Sequence, residues 1–442
     1  MLQWNSVTDH KVYNDERTAL LTLLEGSTKQ PYVDGVGDAT IGIGFNLVYN
    51  LEPVLRVIIG DKTWSDTLYH LLEAVIDKSY AAGQSATLIA NLNQVMKDWH
   101  DHVDKDVPGT FSFRNDAQIA RALDAMDDYY DGRIDSWVAG IPESSERAAL
   151  FSLTWNAPGL LGPKLKAAIE SGDRAEAWYE IRYNSLSSSL PENVKPGIAN
   201  RRYVEAETFS LYHDVARATY AEAVDAGRML AAHHTTLLAY EAKYDPLTAA
   251  IVKGVDTIDA IGSELQPAIS AILRKYGLPT DRAVEELLAT GNGRLDISGD
   301  GTGFDSINND DDLLLADKAA NRLFGDAGND ILIGLRGADT LAGGAGADLF
   351  VFTAIKDSAA FGKADVITDF DAADQIAFSS SGVDFVFLTH SNDAFSDMAG
   401  EIRWQWSGQK TLVEADYDGD GVADLRIALK GMVSLNEGDF LL

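Results

Sequence analysis

The chain has 442 residues, 46% of them hydrophobic, and a formal net charge of −32 at pH 7. A chain of this length exceeds the roughly 250 to 300 residues at which a single hydrophobic core stops growing, so we expect two or three domains. The negative charge argues against nucleic acid and anionic membranes as partners, and the absence of cysteine excludes disulfides and thiolate zinc sites.

The N-terminal segment lacks the features of an export signal. It has no basic start followed by the continuous apolar core of roughly 7 to 15 residues that a signal peptide requires. No stretch of the chain approaches the roughly 20 apolar residues of a membrane span. We therefore expect neither signal-peptide export nor a membrane anchor.

The composition of the chain changes near residue 291. Before it, apolar residues recur at helical spacing, as over 114–138 and 146–156, and Asn115 and Ser145 are candidate helix N-caps. From 291 onwards the sequence is rich in Gly and Asp, with 27 acidic residues against 10 basic ones. The front of the chain is therefore predicted to be mainly helical, and the back to be rich in β-structure.

A carboxylic acid at a predicted helix end is the first catalytic candidate. The segment ERTALLTLLEGS places Leu20, Leu23 and Leu24 on one helical face and ends at Glu25, which a C-capping glycine follows. The negative end of the helix dipole disfavours a second negative charge there. This position suits Glu25 to donate a proton as a general acid.

A second carboxylate follows nine residues later. Asp34 precedes a glycine-rich turn, and ATIGIGF alternates like a hairpin strand that begins near Thr40. We expect Asp34 and Thr40 to lie close together across that hairpin. One carboxylic acid and a second carboxylate that activates water are the parts of an inverting glycoside hydrolase. Two carboxylates nine residues apart are common by chance, and the spacing alone also fits a solvated helix end and a turn aspartate.

The residues around this pair resemble the phage-type lysozymes. In that family a helix-terminal Glu-Gly is followed, at the same spacings, by Tyr-x-Asp, a glycine turn and Thr-Ile-Gly-Ile-Gly. This chain has Glu25, Gly26, Tyr32, Asp34 and TIGIG at 40–44. The resemblance implies that Glu25 is the general acid, that Asp34 positions the attacking water, and that Thr40 hydrogen-bonds the same water.

The resemblance extends over nearly the whole front domain. ERAALFSLTWNAPGLLGPKLKAAIESGD is similar to the central helix pair of the family, and GIANRRYVEAETF is similar to its late helix. It implies that Trp155 and Asn156 line the substrate cleft and that Arg201 or Arg202 pairs with Glu25. Core packing of Trp155 and a surface salt bridge of the arginines are the alternatives.

Three features depart from the family pattern. Phe45 follows TIGIG where the family often has histidine, so a hydrogen-bonding partner is missing there. The stretch from roughly 50 to 112 exceeds the compact family pattern, and its helical segments are candidates to remodel or cover the cleft. Most such lysozymes are basic, whereas residues 1–290 carry a net charge of −15. Attraction to an anionic cell wall would therefore need cations or a neutral substrate region.

The back of the chain contains a nine-residue repeat. The pattern Gly-Gly-x-Gly-x-Asp-x-apolar-x recurs in adjacent copies at 325–333, 334–342 and 343–351, with a degraded copy before them and a further copy at 300–308. The glycines let carbonyl groups turn inward, the aspartate adds a carboxylate, and the apolar residue begins a short strand. Stacked turns of this kind form oxygen cages for calcium, with Leu332, Leu341 and Phe350 filling the interior.

The predicted calcium ligands are the repeat aspartates and the carbonyl oxygens of the preceding turn residues. They are Asp305, Gly325, Ala327, Asp330, Gly334, Arg336, Asp339, Gly343, Ala345 and Asp348.

The repeats resemble the repeats-in-toxin calcium roll, and their continuation resembles the C-terminal domain of serralysin-type secreted proteases. This resemblance begins at about residue 316 and implies a C-terminal signal for the type I secretion apparatus, and hence a secreted, extracellular protein. Low cytosolic calcium would leave the tail unfolded for export, and millimolar calcium outside would fold it. Asp416, Asp418 and Asp420 lack a glutamate at the twelfth position of an EF-hand loop, so we predict a tight turn there.

These observations predict a multidomain fold. An α+β lysozyme-like domain, mainly helical with a small β-hairpin region, is expected at 1–212, and a helical connector at 213–290. A parallel β-roll of nonapeptide repeats is expected at 291–352, and a β-sandwich-like cap with the secretion signal at 353–442.

The predicted function is that of a secreted muramidase. Such an enzyme hydrolyses the β-1,4 bond between N-acetylmuramic acid and N-acetylglucosamine in peptidoglycan, here with inversion; the chemistry itself needs no cofactor. The alternatives are a catalytically weak lysozyme-fold polysaccharide binder or adhesin, and a hydrolase of a different glycan. A metalloprotease or a lipase is disfavoured because the sequence has neither His-Glu-x-x-His nor Gly-x-Ser-x-Gly.

Overall fold

A computed structural model describes residues 2–81, 83–186, 190–248, 261–280, 284, 286–289, 311–360, 364–379, 383–389, 392–396 and 398–442. Two compact units divide these residues: the first contains 2–173 and 177–213, and the second contains 174–176 and the described part of 214–442. The front of the chain is mainly helical and the back is rich in sheet, as predicted. Within the described residues, no helix has the length and apolar character that a membrane crossing requires.

Helices make up most of the chain before residue 214. They are α1 (His10–Glu25), α2 (Leu47–Ile59), α3 (Asp66–Ile76), α4 (Ser85–His102), α5 (Asp116–Asp124), α6 (Asp127–Trp137), α7 (Ser145–Asn156), α8 (Pro163–Ser171), α9 (Arg174–Arg182) and α10 (Lys195–Phe209). Between α1 and α2 the chain forms an antiparallel sheet in the order β1 (Thr28–Val33), β2 (Ala39–Gly42) and β3 (Phe45–Asn46). Leu21, Phe151 and Phe209 are fully buried.

Local sequence sets the ends of two of these helices. Asn115 caps α5 as predicted, because its Oδ1 accepts a hydrogen bond from the Gln118 N–H at 3.0 Å. The N-cap of α7 is Ser144, and the prediction of Ser145 was wrong by one residue. Ser144 Oγ accepts from the Arg147 N–H at 3.1 Å, which places the first free amides of the helix one residue earlier.

The apolar face of α1 differs from the one predicted. Leu23 is 43% exposed, whereas Leu21 is fully buried. The buried positions of the helix include Tyr13, Arg17 and Leu21, which recur every four residues. Leu20, Leu23 and Leu24 lie on one face of the helix, but Leu23 falls outside the buried stripe.

The second unit begins with α11 (Tyr220–Thr248) and α12 (Ile261–Lys275) and continues in strands. Its first strands are β4 (Glu286–Ala289), β5 (Asp312–Leu315), β6 (Arg322–Phe324), β7 (Ile331–Ile333), β8 (Thr340–Ala342) and β9 (Leu349–Phe352). The later ones are β10 (Asp365–Ile367), β11 (Gln375–Phe378), β12 (Val386–Phe387), β13 (Glu401–Ser407), β14 (Lys410–Asp416), β15 (Leu425–Lys430) and β16 (Phe440–Leu441).

These strands form two sheets, in the orders β12-β13-β14-β15-β10-β8-β6 and β16-β11-β9-β7-β5-β4. Strands β5 to β9 fall alternately in one sheet and the other, and each pairs in parallel with the strand two places along. Leu332, Leu341 and Phe350 are each fully buried, as the repeat pattern predicted. The copy at 300–308 lies outside the described residues.

His10 ties the start of α1 to two acidic side chains. Its Nδ1 lies 2.6 Å from Glu143 Oε1 and its Nε2 lies 2.7 Å from Asp124 Oδ1, and hydrogen bonds to Glu143 and then Asp124 raise the pKa of His10 to about 9. A raised histidine pKa stabilises the folded state in full below the unfolded pKa of about 6.5, and this stabilisation is lost as pH rises through about 9.

Replacing His10 with glutamine is therefore expected to lower the melting temperature at pH 6 and not at pH 10. The side chain is 52% exposed, so we expect a loss of under about 1 kcal/mol. Thermal unfolding of both proteins at the two pH values measures this, and an equal loss at pH 10 would contradict the assignment of the charge to His10.

Candidate active site

Glu25 is the last residue of α1, where the chain turns into β1. Gly26 follows with a φ of 72°, and its N–H donates to the Thr22 carbonyl oxygen at 2.9 Å. The Glu25 side chain is 31% exposed, and its Oε1 accepts a hydrogen bond from Arg201 Nη1 at 2.5 Å. The carboxyl group is therefore accessible to a solute while a guanidinium group holds it.

A buried network between α7 and α10 fixes that guanidinium. Arg201 Nε donates to Glu205 Oε1 at 3.0 Å, and its Nη2 donates to Ser152 Oγ at 3.0 Å. Ser152 Oγ in turn donates to Glu205 Oε1 at 2.6 Å. Arg202 also pairs with Glu205. Of the two arginines that the sequence left open, Arg201 is the one that pairs with Glu25.

Asp34 and Thr40 lie on the hairpin of β1 and β2. The antiparallel register pairs Tyr32 with Thr40, and the Asp34 N–H donates to the Asp38 carbonyl oxygen at 3.0 Å. Side chains two residues apart on a strand point to the same face. Asp34 and Thr40 are thus diagonal neighbours at the end of the ladder, in agreement with the sequence prediction.

The two oxygens of Asp34 differ in their environment. Its Oδ1 accepts hydrogen bonds from the N–H groups of Val36, Gly37 and Asp38, each at 2.9 Å. Its Oδ2 has no hydrogen-bond partner among the residues that the structure describes. Thr40 is 3% exposed, and its hydroxyl donates to the Asp38 carbonyl oxygen at 3.3 Å. One carboxylate oxygen is therefore fixed by the turn, and the other is available to a water molecule.

Tyr32 belongs to the same site, although the sequence analysis gave it no role. Burial raises the pKa of the Tyr32 phenol, and the negative charges of Asp34 and Glu25 raise it further. Both carboxylates thus raise the pKa of the same phenol. Its position opposite Thr40 and two residues before Asp34 is the signal that the sequence offered.

Trp155 sits in an aromatic cluster at the end of α7. Its ring stacks on Phe151 at a centroid distance of 6.2 Å, lies 4.9 Å from Tyr130, and meets Phe45 edge-on at 6.0 Å. Phe45 is fully buried and also packs edge-on against Phe113. Phe45, where the sequence analysis noted that a hydrogen-bonding partner is missing, is thus held by aromatic packing. Trp155 itself is half-buried, so it packs in this cluster and also reaches the surface.

Asn156 is exposed at the end of the same helix. Its Oδ1 accepts a hydrogen bond from Arg202 Nη2 at 2.5 Å. The side chain is therefore linked, through Arg202 and Glu205, to the network that holds Arg201.

Replacing Arg201 with methionine is expected to lower the free energy of unfolding of the first unit by about 3 kcal/mol, because the fully buried Glu205 loses one of its two guanidinium partners. Glu25→Gln is expected to cost under about 1 kcal/mol, because that end of the network is exposed. Urea unfolding of the two variants measures the difference. Equal losses would mean that Arg201 is anchored mainly by Glu25.

The second unit carries buried aspartates along the edges of its two sheets. On one edge, the N–H groups of Asp312, Asp330 and Asp348 donate to the Oδ1 atoms of Asp330, Asp348 and Asp374 at 2.8, 2.9 and 3.0 Å. Each side chain thus bonds the backbone of the neighbouring turn in its own sheet.

The other edge repeats the arrangement. The N–H groups of Asn321 and Asp339 donate to the Oδ1 atoms of Asp339 and Asp365 at 2.7 and 2.8 Å. Asp365 and Asp374 were missed by the sequence analysis. The hydrogen bonds that their Oδ1 atoms accept span 26 residues, whereas the equivalent bonds between alternate repeats span 18. The difference arises because the segment after β9 interrupts the nine-residue period.

The buried aspartates retain free oxygen atoms. The Oδ2 atoms of Asp330, Asp339, Asp348 and Asp365 are buried without a hydrogen-bond partner among the described residues. Burial raises the pKa values of these four carboxyl groups to about 7, 6, 6 and 8, respectively. Buried carboxylate oxygens are the hard ligands that Ca²⁺ prefers, so this donor set fits calcium.

The predicted calcium ligands divide between the two edges. Residues 325–330 and 343–348 are adjacent turns on one edge, and Ala327 and Ala345 form a parallel bridge between them. The Gly343 carbonyl oxygen lies 2.6 Å from the position that a Cβ atom on Gly325 would occupy. Only glycine at position 325 permits this close approach of the two backbones. Gly334, Arg336 and Asp339 belong to a turn on the other edge, and Asp305 lies outside the described residues.

The Asp416–Asp420 segment forms the turn between β14 and β15. Asp416 Oδ1 and Oδ2 accept hydrogen bonds from the N–H groups of Gly419 and Gly421, each at 2.8 Å. Both oxygens of the buried carboxylate are thus used by the turn itself, as the sequence predicted.

Comparison with known proteins supports the C-terminal part of this description. Residues 315–442 match the family described as the peptidase M10 serralysin C-terminal domain. The solution structure of the AlgE6R3 subunit of the Azotobacter vinelandii mannuronan C5-epimerase is similar to this chain, with 23% sequence identity and a TM-score of 0.23. The match covers 36% of this chain and 81% of the AlgE6R3 chain. The AlgE6R2 subunit of the same enzyme is 22% identical, with coverages of 36% and 87% and a TM-score of 0.23. No curated protein matches the chain significantly.

Proposed function

We propose that the protein is a secreted muramidase, a glycoside hydrolase that cleaves the β-1,4 bonds of peptidoglycan. The observation that carries this proposal is an accessible Glu25 held by Arg201, at the start of a hairpin whose Asp34 has one carboxylate oxygen fixed by the turn. An accessible carboxylic acid and a second carboxylate with one free oxygen are the groups that an inverting glycosidase uses.

In the proposed reaction Glu25 donates its proton to the glycosidic oxygen as the bond to the sugar breaks. Water attacks the anomeric carbon from the opposite face of the sugar as that bond breaks. The free Oδ2 of Asp34 accepts the proton that the water loses, and the Thr40 hydroxyl accepts a hydrogen bond from the proton that the water keeps. The turn amides hold Oδ1 of Asp34, so the water is oriented without a rearrangement of the carboxylate. Once Glu25 has lost its proton, the Arg201 guanidinium stabilises the resulting negative charge.

The C-terminal part of the chain is proposed to bind calcium and to direct export. Residues 315–442 match a C-terminal domain of secreted proteases, which supports passage through a type I secretion apparatus. Asp330, Asp339, Asp348 and Asp365, with carbonyl oxygens of the adjacent turns, would hold the ions. Calcium supplies positive charge that stabilises the ionised, buried carboxylates.

The proposal is tested by adding the calcium-loaded protein to purified peptidoglycan and following turbidity and new reducing ends. A muramidase clears the suspension and exposes N-acetylmuramic acid at the new reducing ends, and inversion gives the α-anomer first. Binding without clearing would replace the proposal with the polysaccharide-binder alternative. Hydrolysis of chitin oligosaccharides without clearing of peptidoglycan would favour the different-glycan alternative, which the net charge of −15 over residues 1–290 also favours.

A further inference from the structure

The hairpin that carries Asp34 has one edge that no strand of its own sheet covers. The sheet order is β1-β2-β3, so β1 is an edge strand whose outer N–H and C=O groups need other partners. Their partners lie in the stretch from roughly 50 to 112, which exceeds the compact lysozyme pattern, and at Phe113 directly after it. The Val33 N–H donates to Ser85 Oγ at 3.0 Å, and the Lys29 carbonyl oxygen accepts from the Phe113 N–H at 3.0 Å.

Ser85 acts at the peptide that joins Tyr32 to Val33, and Val33 is the neighbour of Asp34. It is the first residue of α4, and its Cα is therefore fixed by an 18-residue helix. Leu88, Leu92 and Met96 of that helix are fully buried. The hydroxyl thus bonds β1 from a rigid element, and the bond lies one residue before the proposed water-positioning carboxylate.

A second contact supports the turn beyond Asp34. Gly37 has a φ of +101°, and the Tyr80 carbonyl oxygen lies 2.8 Å from the place that a Cβ on Gly37 would occupy. Tyr80 is itself anchored, because its hydroxyl donates to the Val75 carbonyl oxygen at 2.9 Å near the end of α3. The turn whose amides hold Asp34 Oδ1 is therefore packed against the chain between α3 and α4.

We propose that α3 and α4, with the chain that joins them, brace the hairpin of β1 and β2, and that Ser85 is a positioning residue for Asp34. This inference rests on the proposed function and extends it: the inserted helices set the geometry of the attacking water. Without the Ser85 bond, the Val33 N–H at the end of β1 loses its partner, and Asp34 is held by the pairing of β1 to β2 and by the packing of the turn against Tyr80. The general acid Glu25, which is held by Arg201, is unaffected.

The test compares the full-length, calcium-loaded protein with Ser85→Ala, Ser85→Thr and Ser65→Ala. Ser65 is the matched control because it caps α3 through the Leu68 N–H at 3.4 Å and makes no bond to β1. We expect Ser85→Ala to lower kcat about 10-fold with KM nearly unchanged, since a misplaced group costs rate and not affinity. Amide exchange over residues 28–38 should accelerate about 10-fold or more. Ser85→Thr, which keeps the hydroxyl, should restore both, and Ser65→Ala should change neither.

Each outcome decides a separate question. If Ser85→Ala changes kcat and amide exchange no more than Ser65→Ala does, Ser85 is not a positioning residue and the brace is overturned. If exchange accelerates while kcat is unchanged, the brace exists but does not position Asp34, and the inference about catalysis fails. If the wild type hydrolyses no glycan, the proposed function fails, and the exchange comparison still decides whether the inserted helices brace the hairpin.

Discussion

Glu25→Gln is expected to lower the rate of peptidoglycan hydrolysis by about 10³-fold, within the roughly 10²- to 10⁴-fold range of general acid–base catalysis. Glutamine has nearly the same shape as glutamic acid and can still accept a hydrogen bond from Arg201, but it has no proton to give to the leaving oxygen. The fold and the affinity for the wall should therefore be retained while the chemistry is lost. Turbidity clearing and sedimentation with insoluble peptidoglycan measure these two properties separately.

The matched control is Glu16→Gln, which removes an exposed carboxylate from the same helix. It changes the net charge equally and should clear peptidoglycan at the wild-type rate. Equal loss in both variants would attribute the effect to charge and wall attraction instead of acid catalysis. Full activity in Glu25→Gln would move the general acid to another residue and remove the central observation from the proposal.

The local parts of this site were predictable from sequence because they depend on short spacings. The helix end at Glu25, the glycine after it and the hairpin that begins near Asp34 all arise from residues within a few positions of each other. The closeness of Asp34 to Thr40 follows from the antiparallel register. Tyr32 was overlooked because its role depends on which face of β1 it occupies, and that face is fixed by pairing with Thr40.

Long-range contacts do not follow from residue spacing. The contact of the Ser85 hydroxyl with β1 across 52 residues was not predicted. The contact of Arg201 with Glu25 across 176 residues was expected only from the family resemblance, which left Arg201 and Arg202 open. Periodicity predicts that α4 is a helix but not which edge it covers. The misassigned N-cap of α7 has a different cause, because Ser144 and Ser145 are adjacent residues of one type, and only the position of the first free amides distinguishes them.

The aspartate edges show where a repeat pattern ends and structure continues. Regular spacing predicted Asp330, Asp339 and Asp348, and each occupies a buried rung. Asp365 and Asp374 accept the same kind of backbone hydrogen bond beyond the last regular repeat, because β10 and β11 add to the two sheets in parallel. The parallel pairing of strands, and not the nine-residue period, therefore determines the position of the next buried carboxylate.

Removal of calcium is expected to unfold the strands from β5 to β11. Four carboxyl groups there have a buried oxygen without a partner among the described residues, and ionised groups in such positions are strongly destabilising unless a cation neutralises them. An ion present at 1,000 times its dissociation constant contributes about 4 kcal/mol of stability. Circular dichroism in EDTA should lose β signal, and millimolar Ca²⁺ should restore it where the same concentration of Mg²⁺ does not.

Asp365→Asn distinguishes this explanation from a nonspecific effect of ionic strength. We expect it to raise the calcium concentration needed for refolding about as much as Asp339→Asn does, since both groups lie on the same edge. Asp384→Asn is the control, because Asp384 is an exposed residue of the same unit. A tail that keeps its β signal in EDTA, or an Asp384 variant that refolds as poorly as the Asp365 variant, would contradict a calcium site at these carboxylates.

The calcium requirement should also depend on pH, with a sign that the raised pKa values determine. A buried carboxyl group whose pKa lies at about 6 to 8 holds its proton in the folded state at a pH where the unfolded chain has released it. The calcium-free fold is therefore most stable near the unfolded pKa of about 4 and becomes less stable as pH rises through these values. The difference in melting temperature between calcium and EDTA should be larger at pH 8 than at pH 5. A difference independent of pH would mean that the ions bind elsewhere, because protons and calcium would then not compete for the same oxygens.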